Sequence, residues 1–183
     1  METGGNPELL YRAYINGRTE AFEQLMELYR EHLIFFLYRY VQDLPAAEDL
    51  AEDVFVEVLV HGHRYNFRCS VKTYLFSIAR HKAVNFVKRE SRRRELREGL
   101  ALQEEDGSAA LEEHLLKEEM KRRVSTALGA LREEHRMVLH LLYIEELSVK
   151  DTARVMGKTV KQTESLAYRA RVALRAQLGE GEV

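Results

Sequence analysis

Apolar side chains recur three and four positions apart over most of this chain, and the recurrence defines its helices. Between Thr19 and Gln42 the set Phe22, Leu25, Met26, Tyr29, Leu33, Phe36, Leu37 and Tyr40 forms an unbroken stripe. The spacing predicts one long helix with Thr19 as its N-cap, and assigns these aromatics to a core rather than to a ligand pocket. A shorter helix is expected from Pro7 to Ile15, stopped at Asn16-Gly17, where glycine accepts a left-handed backbone. After the break at Asp43-Leu44-Pro45, the next helix buries Ala47, Leu50, Ala51, Val54, Phe55 and Val58 and ends at Gly62. A loop over 63–68 leads to a helix over roughly 71–94, with Ser70 as N-cap and Val71, Leu75, Ala79 and Phe86 inward.

Periodicity fails over 95–114 and returns afterwards. Helices are expected at Leu115–Leu128 and at Arg132–Ile144, the second burying Val138, Leu139, Leu142 and Tyr143. Ser148-Val149-Lys150-Asp151 opens a short helix that stops at Met156-Gly157. Thr159-Val160-Lys161-Gln162 is a capping box for a last helix reaching about Leu178. A short helix, a tight turn with glycine and a longer helix predict a helix-turn-helix. The chain is therefore read as all-α, with two small helical domains over 1–94 and 115–183 and a linker over 95–114.

Charge turns these elements into faces. The totals, 28 Lys and Arg against 30 Asp and Glu, say little; their placement says more. Glu48, Asp49, Glu52, Asp53 and Glu57 share one face of the third helix, with no basic residue between Pro45 and Val60. From His61 to Arg94 ten Lys or Arg meet one acid, Glu90, and Ser77, His81, Asn85, Lys88 and Arg92 line one face. An acidic face suits a basic protein partner, and a basic face carrying amides suits nucleic acid. Arg, aromatic and Asn residues interleave in the loop over 65–68, a pattern able to stack on an unpaired base, although Tyr65 and Phe67 equally suit anchoring the loop. From Glu95 to Glu119 nine acids meet two bases, which marks an acidic linker, whereas from Ser148 to Leu178 seven bases meet two acids. The spacing of His61, His63, Cys69 and His81 matches no standard zinc pattern. One cysteine excludes an internal disulfide, and no apolar run approaches the length of a membrane span. The opening METGGNPELL has neither the basic nor the apolar region of a signal peptide, so a cytoplasmic protein without membrane insertion is expected.

Several segments together are similar to a known family. Ala47-Glu48-Asp49-Leu50-Ala51-Glu52-Asp53-Val54-Phe55 resembles the AEDLxQxxF signature of bacterial sigma factors, and Tyr74 to Asn85 resembles their WLYxIARNxAID helix. Leu131 to Leu139, Leu147-Ser148, Met156-Gly157 and Tyr168-Arg169-Ala170-Arg171 follow the family's C-terminal pattern in order and spacing. The likeness covers roughly 20–94 and 115–178, the parts called regions 2 and 4. It is therefore a resemblance to the extracytoplasmic-function (ECF) subgroup of the sigma-70 family.

The resemblance implies a transcription initiation factor that binds core RNA polymerase and directs it to promoter DNA. It implies no catalytic activity of its own and no cofactor or metal, and it makes an anti-sigma factor an expected partner. Glu48, Asp49, Leu50, Glu52 and Asp53 would dock on the polymerase. Tyr65, Asn66, Phe67, Arg68, Ser77, Arg80, His81, Asn85 and Lys88 would recognise and open the −10 element. Lys161, Gln162, Glu164, Ser165, Tyr168 and Arg169 would read the −35 element. Glu52 replaces the usual Gln and Tyr74 the usual Trp, while Glu164 and Leu166 stand where basic residues are frequent. Glu164 either accepts from a cytosine amino group or orients Lys161 or Tyr168 within its own helix. The alternative is a helix-turn-helix regulator that occupies an operator without joining the polymerase, for which an acidic helix would be superfluous. A metal enzyme built on the His/Cys set fails for want of convergent carboxylate and histidine spacing.

Overall fold

The computed structural model describes residues 6–98, 124 and 126–179. The expected helix Leu115–Leu128 and all of the linker after Glu98 fall mostly outside them; 126–129 are helical. Among the described residues there is no strand. The N-terminal half holds α1 (Pro7–Ile15), α2 (Thr19–Val41), α3 (Leu44–His61), a 3-10 turn (Gly62–Arg64) and α4 (Val71–Glu98). The C-terminal half holds α5 (Glu133–Leu139), a π-type turn (His140–Ile144), α6 (Val149–Met156) and α7 (Val160–Leu178).

Most ends follow from local chemistry. Asn6 caps α1 by accepting from the amides of Glu8 and Leu9, and Asp43 caps α3 by accepting from Ala46. Thr19 is not the N-cap of α2: Arg18 holds that position with no side-chain hydrogen bond, and Thr19 is the first helical residue. The stripe on α2 is buried as its spacing requires, with Leu33, Phe36 and Leu37 fully enclosed. Against it pack Ala47, Leu50, Ala51, Val54, Phe55 and Val58 of α3, and Val71, Leu75, Phe76 and Ala79 of α4.

Helix α1 serves the ends of two other helices. Tyr11 Oη donates to the Gly62 carbonyl at 2.9 Å and Tyr14 Oη to Leu59 at 3.2 Å, so two terminal carbonyls of the α3 region gain donors. Gly62 admits this approach because a Cβ there would lie 3.0 Å from the Tyr14 ring. Glu8 accepts from the Val71 amide at 3.0 Å, placing a carboxylate at the positive N-terminus of α4, where Ser70 also caps through the Thr73 amide.

The expected helix Arg132–Ile144 is not uniform. After Leu139 the chain widens, with the Glu145 amide bonded to the His140 carbonyl five residues back at 3.0 Å. The extra residue turns the helix face: Met137, Val138, Leu139 and Leu141 are buried, Leu142 is half-buried and Tyr143 is 55% exposed. Ser148 caps α6 through the Asp151 amide, Gly157 ends it with φ +62°, and Thr159 with Gln162 forms the capping box of α7.

The two halves pack on one another, α5 against α2 and α6 against α4. At their junction the Glu145 side chain is 1% exposed. Its carboxylate takes the Lys72 ammonium at 2.9 Å, His140 Nε2 at 3.1 Å and His32 Nδ1 at 3.0 Å. Lys72 also donates to the Glu145 carbonyl at 2.8 Å. Burial acting alone would raise the carboxyl's pKa; the hydrogen bonds from His140 and Lys72, the Lys72 charge and His32 outweigh it and push it down to about 2. Tyr29 of α2, pushed up to about 12 by burial, then by the charges of Glu8 and Glu145, stays neutral throughout the working range.

A carboxyl whose folded pKa is depressed stabilises the packed state fully above the ordinary value of 4.5. That stabilisation is lost as pH falls from there towards about 2. The shift corresponds to a contribution on the order of 3 kcal/mol. In acid titrations followed by circular dichroism and thermal melting, Glu145→Gln should therefore be less stable at neutral pH. It should also lose less further stability as pH falls below 4.5 than the parent. Parallel curves would show that Glu145 is not the group responsible.

Candidate nucleic-acid interface

Packing the apolar face of α3 inward leaves Glu48, Asp49, Glu52 and Asp53 exposed in one band. Leu50 is different: it is 5% exposed and belongs to the core, because one step from Asp49 turns it about 100° to the inner side. Glu57, half-buried at the edge of the band, meets Arg64 at 3.7 Å and Lys82 at 3.6 Å and so ties α3 to α4. Glu52 faces Arg30 at 4.0 Å, a solvated pair that contributes little to stability.

An open groove of about 530 Å³ runs between α3 and α4. Asp53 stands on one wall, Leu50 at the base, and Lys82, Asn85, Lys88, Arg89 and Arg92 on the other. The acidic and basic faces thus meet along one line of a single bundle. His81, Asn85 and Lys88 are exposed as the helical spacing requires, and Asn85 Nδ2 lies 3.3 Å from His81 Nε2, so the imidazole holds the amide. Ser77 and Arg80 sit higher on α4 and are half-buried. Ser77 donates to its own helix at the Thr73 carbonyl, 2.7 Å away. Arg80 has Nε buried with no hydrogen-bond partner among the described residues, and a Cβ at Gly157 would lie 3.6 Å from its Nη1.

The loop before α4 divides into an anchor and a tip. Tyr65 is 5% exposed, stacks on Tyr74 with centroids 4.9 Å apart and donates to the Cys69 carbonyl at 2.6 Å. It holds the loop and does not present its ring to a ligand. Phe67 takes a left-handed backbone, φ +59°, with its ring under the Arg12 guanidinium at 4.4 Å. A bulky residue in that conformation is unusual, and the aromatic neighbours Tyr11 and Tyr65 account for its being held there. Asn66 and Arg68 are exposed; Asn66 Oδ1 accepts from the Arg68 amide, and the Arg68 carbonyl accepts from Arg154 Nη1 at 2.8 Å.

On α7 the buried set is Thr163, Leu166, Ala167 and Ala170, which turns Lys161, Gln162, Glu164, Ser165, Tyr168 and Arg169 outward. Leu166, at a position where a basic residue is frequent in the family, is therefore a core residue. Gln162 is committed to its cap, accepting from the Thr159 amide at 2.9 Å. Tyr168 is 64% exposed, and Arg169 Nε reaches back to the Ser165 carbonyl at 3.4 Å. Among the described residues Glu164 has no hydrogen-bond or ion-pair partner, so neither Lys161 nor Tyr168 is oriented by it. Sequence reasoning missed Lys82 and Arg89 in the groove, although both lie within one turn of Asn85 and Lys88. Arg171, quoted above in the C-terminal pattern without a role, donates through Nη1 to Tyr143 Oη at 2.9 Å within the C-terminal half. Among the described residues no group of three or more His, Cys, Asp or Glu is arranged to hold a metal, and no helix is long and apolar enough to cross a membrane.

Comparison with known proteins agrees with this geometry. The Sigma-70 region 2 family matches residues 25–93 and the Sigma-70 region 4 family residues 121–174, together more than half of the chain. The RNA polymerase sigma factor YlaC of Bacillus subtilis is 27% identical over 163 residues, 87% of this chain and 92% of that protein. The ECF RNA polymerase sigma factor SigX of the same organism is 29% identical over 166 residues, 87% and 84% of the respective chains. The RNA polymerase sigma-H factor of Pseudomonas aeruginosa is 28% identical over 182 residues, 95% and 94%. Among solved structures, the sigma factor RpoE of Bartonella quintana, in complex with the anti-sigma factor NepR, superposes with a TM-score of 0.73. That match has 21% identity and covers 90% of this chain and 100% of that one. CnrH, in complex with the cytosolic domain of CnrY, gives 0.69 at 21% identity, covering 95% and 97%. Two family matches in the expected order, on an all-helical frame that superposes on sigma structures, place the chain in the sigma-70 family as an RNA polymerase sigma factor of the ECF group.

Proposed function

We propose that residues 1–94 grip core RNA polymerase and the −10 element together, that 115–183 read the −35 element, and that 95–114 link the two. The observation that carries this is the groove, where an exposed acidic face on α3 borders a basic, amide-bearing face on α4. Glu48, Asp49, Glu52 and Asp53 dock on a basic surface of the polymerase. Asn85, held by His81, reads a base; Lys88, with Lys82, Arg89 and Arg92, follows phosphates; and Asn66 and Arg68 at the loop tip receive an unstacked base. Lys161, Glu164, Ser165, Tyr168 and Arg169 enter the major groove from the N-terminal half of α7. The protein acts without catalysing a reaction, in the cytoplasm, with the polymerase supplying the chemistry. RpoE was solved with the anti-sigma factor NepR, and an anti-sigma factor is proposed for this chain on that likeness. Run-off transcription with core polymerase on a genomic library tests the whole assignment: discrete starts absent without the protein support it, and no dependence on the protein refutes it.

Reversing the acidic face is the most direct test of docking. Asp49→Lys with Asp53→Lys should weaken binding to core polymerase by about 100-fold or more through lost complementarity and new repulsion. The fold should change by no more than about 0.5 kcal/mol, since both side chains are exposed. A double variant that competes for core as well as the parent would remove α3 from the interface.

On the DNA face, Asn85→Ala should alter the preferred −10 sequence, whereas Lys88→Ala should weaken binding to all sequences and lower the salt slope by about one. Identical selected sequences and salt slopes in both variants would dismiss the face.

Glu164 separates base reading from bulk charge. Because it has no partner among the described residues, Glu164→Arg should change the preferred base at one −35 position, away from the pair whose cytosine it reads, by roughly 1–3 kcal/mol. Selection from randomised −35 sites at matched salt measures this; a uniform gain in affinity with preference intact would assign Glu164 to electrostatics alone.

A further inference from the structure

The widened turn after Leu139 and the last helix meet at the surface through one polar pair. Tyr143 is 55% exposed, and its Oη accepts from Arg171 Nη1 at 2.9 Å, which joins the π-type turn to α7. Regular helical spacing predicts Tyr143 inward; the surplus residue in the turn brings its hydroxyl out to α7 instead. Insertions of this kind are frequent at functional sites, because they re-aim a side chain. An arginine has donors and no acceptor, so Tyr143 cannot return its own O–H to Arg171. Among the described residues no other group accepts that proton, and Arg171 makes no second hydrogen bond or ion pair. The pair thus offers a held cationic fork and a phenolic O–H to something outside the chain.

Its place on α7 says what that is. At about 100° per residue, Lys161, Tyr168 and Val172 mark the middle of the exposed face, opposite the buried Thr163 and Ala170. Arg169 and Arg171 fall about 80° to either side of Lys161. A helix in the major groove has a sugar-phosphate strand along each flank, so the middle of its face reaches bases and its edges reach phosphates. Arg169 turns back on the Ser165 carbonyl, whereas Arg171 is held by a residue of another element. Exposed Arg175, one turn further along, adds positive charge to the same edge. The acid on that edge, Glu164, lies about 10 Å earlier along the axis. We propose that Tyr143 and Arg171 form a binding site for one backbone phosphate of duplex DNA beside the −35 element, which rests on the assignment of α7 to that element made above. Arg171 supplies the charge and two or more donors; Tyr143 fixes its direction and donates one bond itself. A guanidinium already held loses less side-chain freedom on binding than a free one. The site carries no sequence information: it sets the register of α7 in the groove and adds affinity to every sequence alike.

The test uses holoenzyme assembled from core polymerase and the full chain, with a fluorescein-labelled duplex carrying a promoter recovered by run-off transcription. Single neutral methylphosphonates are placed in turn along both strands of the −35 element. Arg171→Gln should weaken binding to the unmodified duplex about tenfold and lower the salt slope by about one, with the preferred −35 sequence unchanged. At one position the methylphosphonate should weaken the parent and have no effect in Arg171→Gln. Tyr143→Phe, which keeps the ring and removes the hydroxyl, should weaken binding about threefold and reduce the effect at that same position. Because it keeps the fold's apolar contacts, Tyr143→Phe carries the test even if Arg171→Gln fails to fold. A methylphosphonate profile and salt slope unchanged in the variants make the pair a structural tie and overturn the proposal, whatever happens to the melting temperature, while α7 keeps its element. A changed base preference in Arg171→Gln overturns it as well, by making Arg171 a base reader. Parent holoenzyme indifferent to the −35 sequence removes the assignment of α7 itself, and this site with it.

Discussion

The N-terminal half depends on the brace that α1 places across the ends of α3 and α4. A helix end leaves backbone groups unpaired, and such ends are costly when enclosed. Tyr11 and Tyr14 supply donors to carbonyls at the end of α3, and Glu8 supplies an acceptor to the start of α4. Three side chains of one short helix therefore set where α3 stops, how the loop over 62–70 turns and where α4 begins. The acidic and basic faces owe their register along the groove to this arrangement. Truncating the first helix would disturb both, although none of its residues lies on either.

Close apposition of opposite charges would ordinarily collapse the groove into internal ion pairs. That happens only at its end, where Glu57 takes Lys82 and Arg64. Glu48, Asp49 and Asp53 on one side, and Asn85, Lys88, Arg89 and Arg92 on the other, have no ion-pair partner across it among the described residues. The surface keeps two fields of opposite sign side by side, which is useful to a protein that binds both the polymerase and promoter DNA.

The helices were legible in the sequence wherever burial follows a regular 3.6-residue period, as in α2, α3 and α7, and where caps have a recognisable chemistry, as at Asp43, Ser148 and Thr159. The exposed parts of the faces followed from the same geometry. Three features escaped. Tyr65 has a ring that suits an anchor as well as a contact, and its burial depends on neighbours distant in sequence, here Tyr11 and Tyr74. The widening after Leu139 has no local signature, so the exposure of Tyr143 and the burial of Leu141 were invisible. Glu145 carries no local sign of its burial, because two of its partners, His32 and Lys72, lie 113 and 73 residues away.

That widened turn has a consequence for how such a protein can change over time. One surplus residue between Leu139 and Glu145 sets the bearing of everything that follows by about 100°. Glu145 arrives at the junction because of that offset, while the residues that specify the two helices of the DNA reader lie beyond it. A single-codon deletion in this stretch would swing the carboxylate out to solvent and leave the reader's own packing to re-form from Leu147 onward. Coupling between the halves would then be a separately heritable trait, adjustable in one mutational step without rewriting the recognition surface. Chains sharing the same helix-turn-helix could differ widely in how firmly its half is held against the N-terminal one.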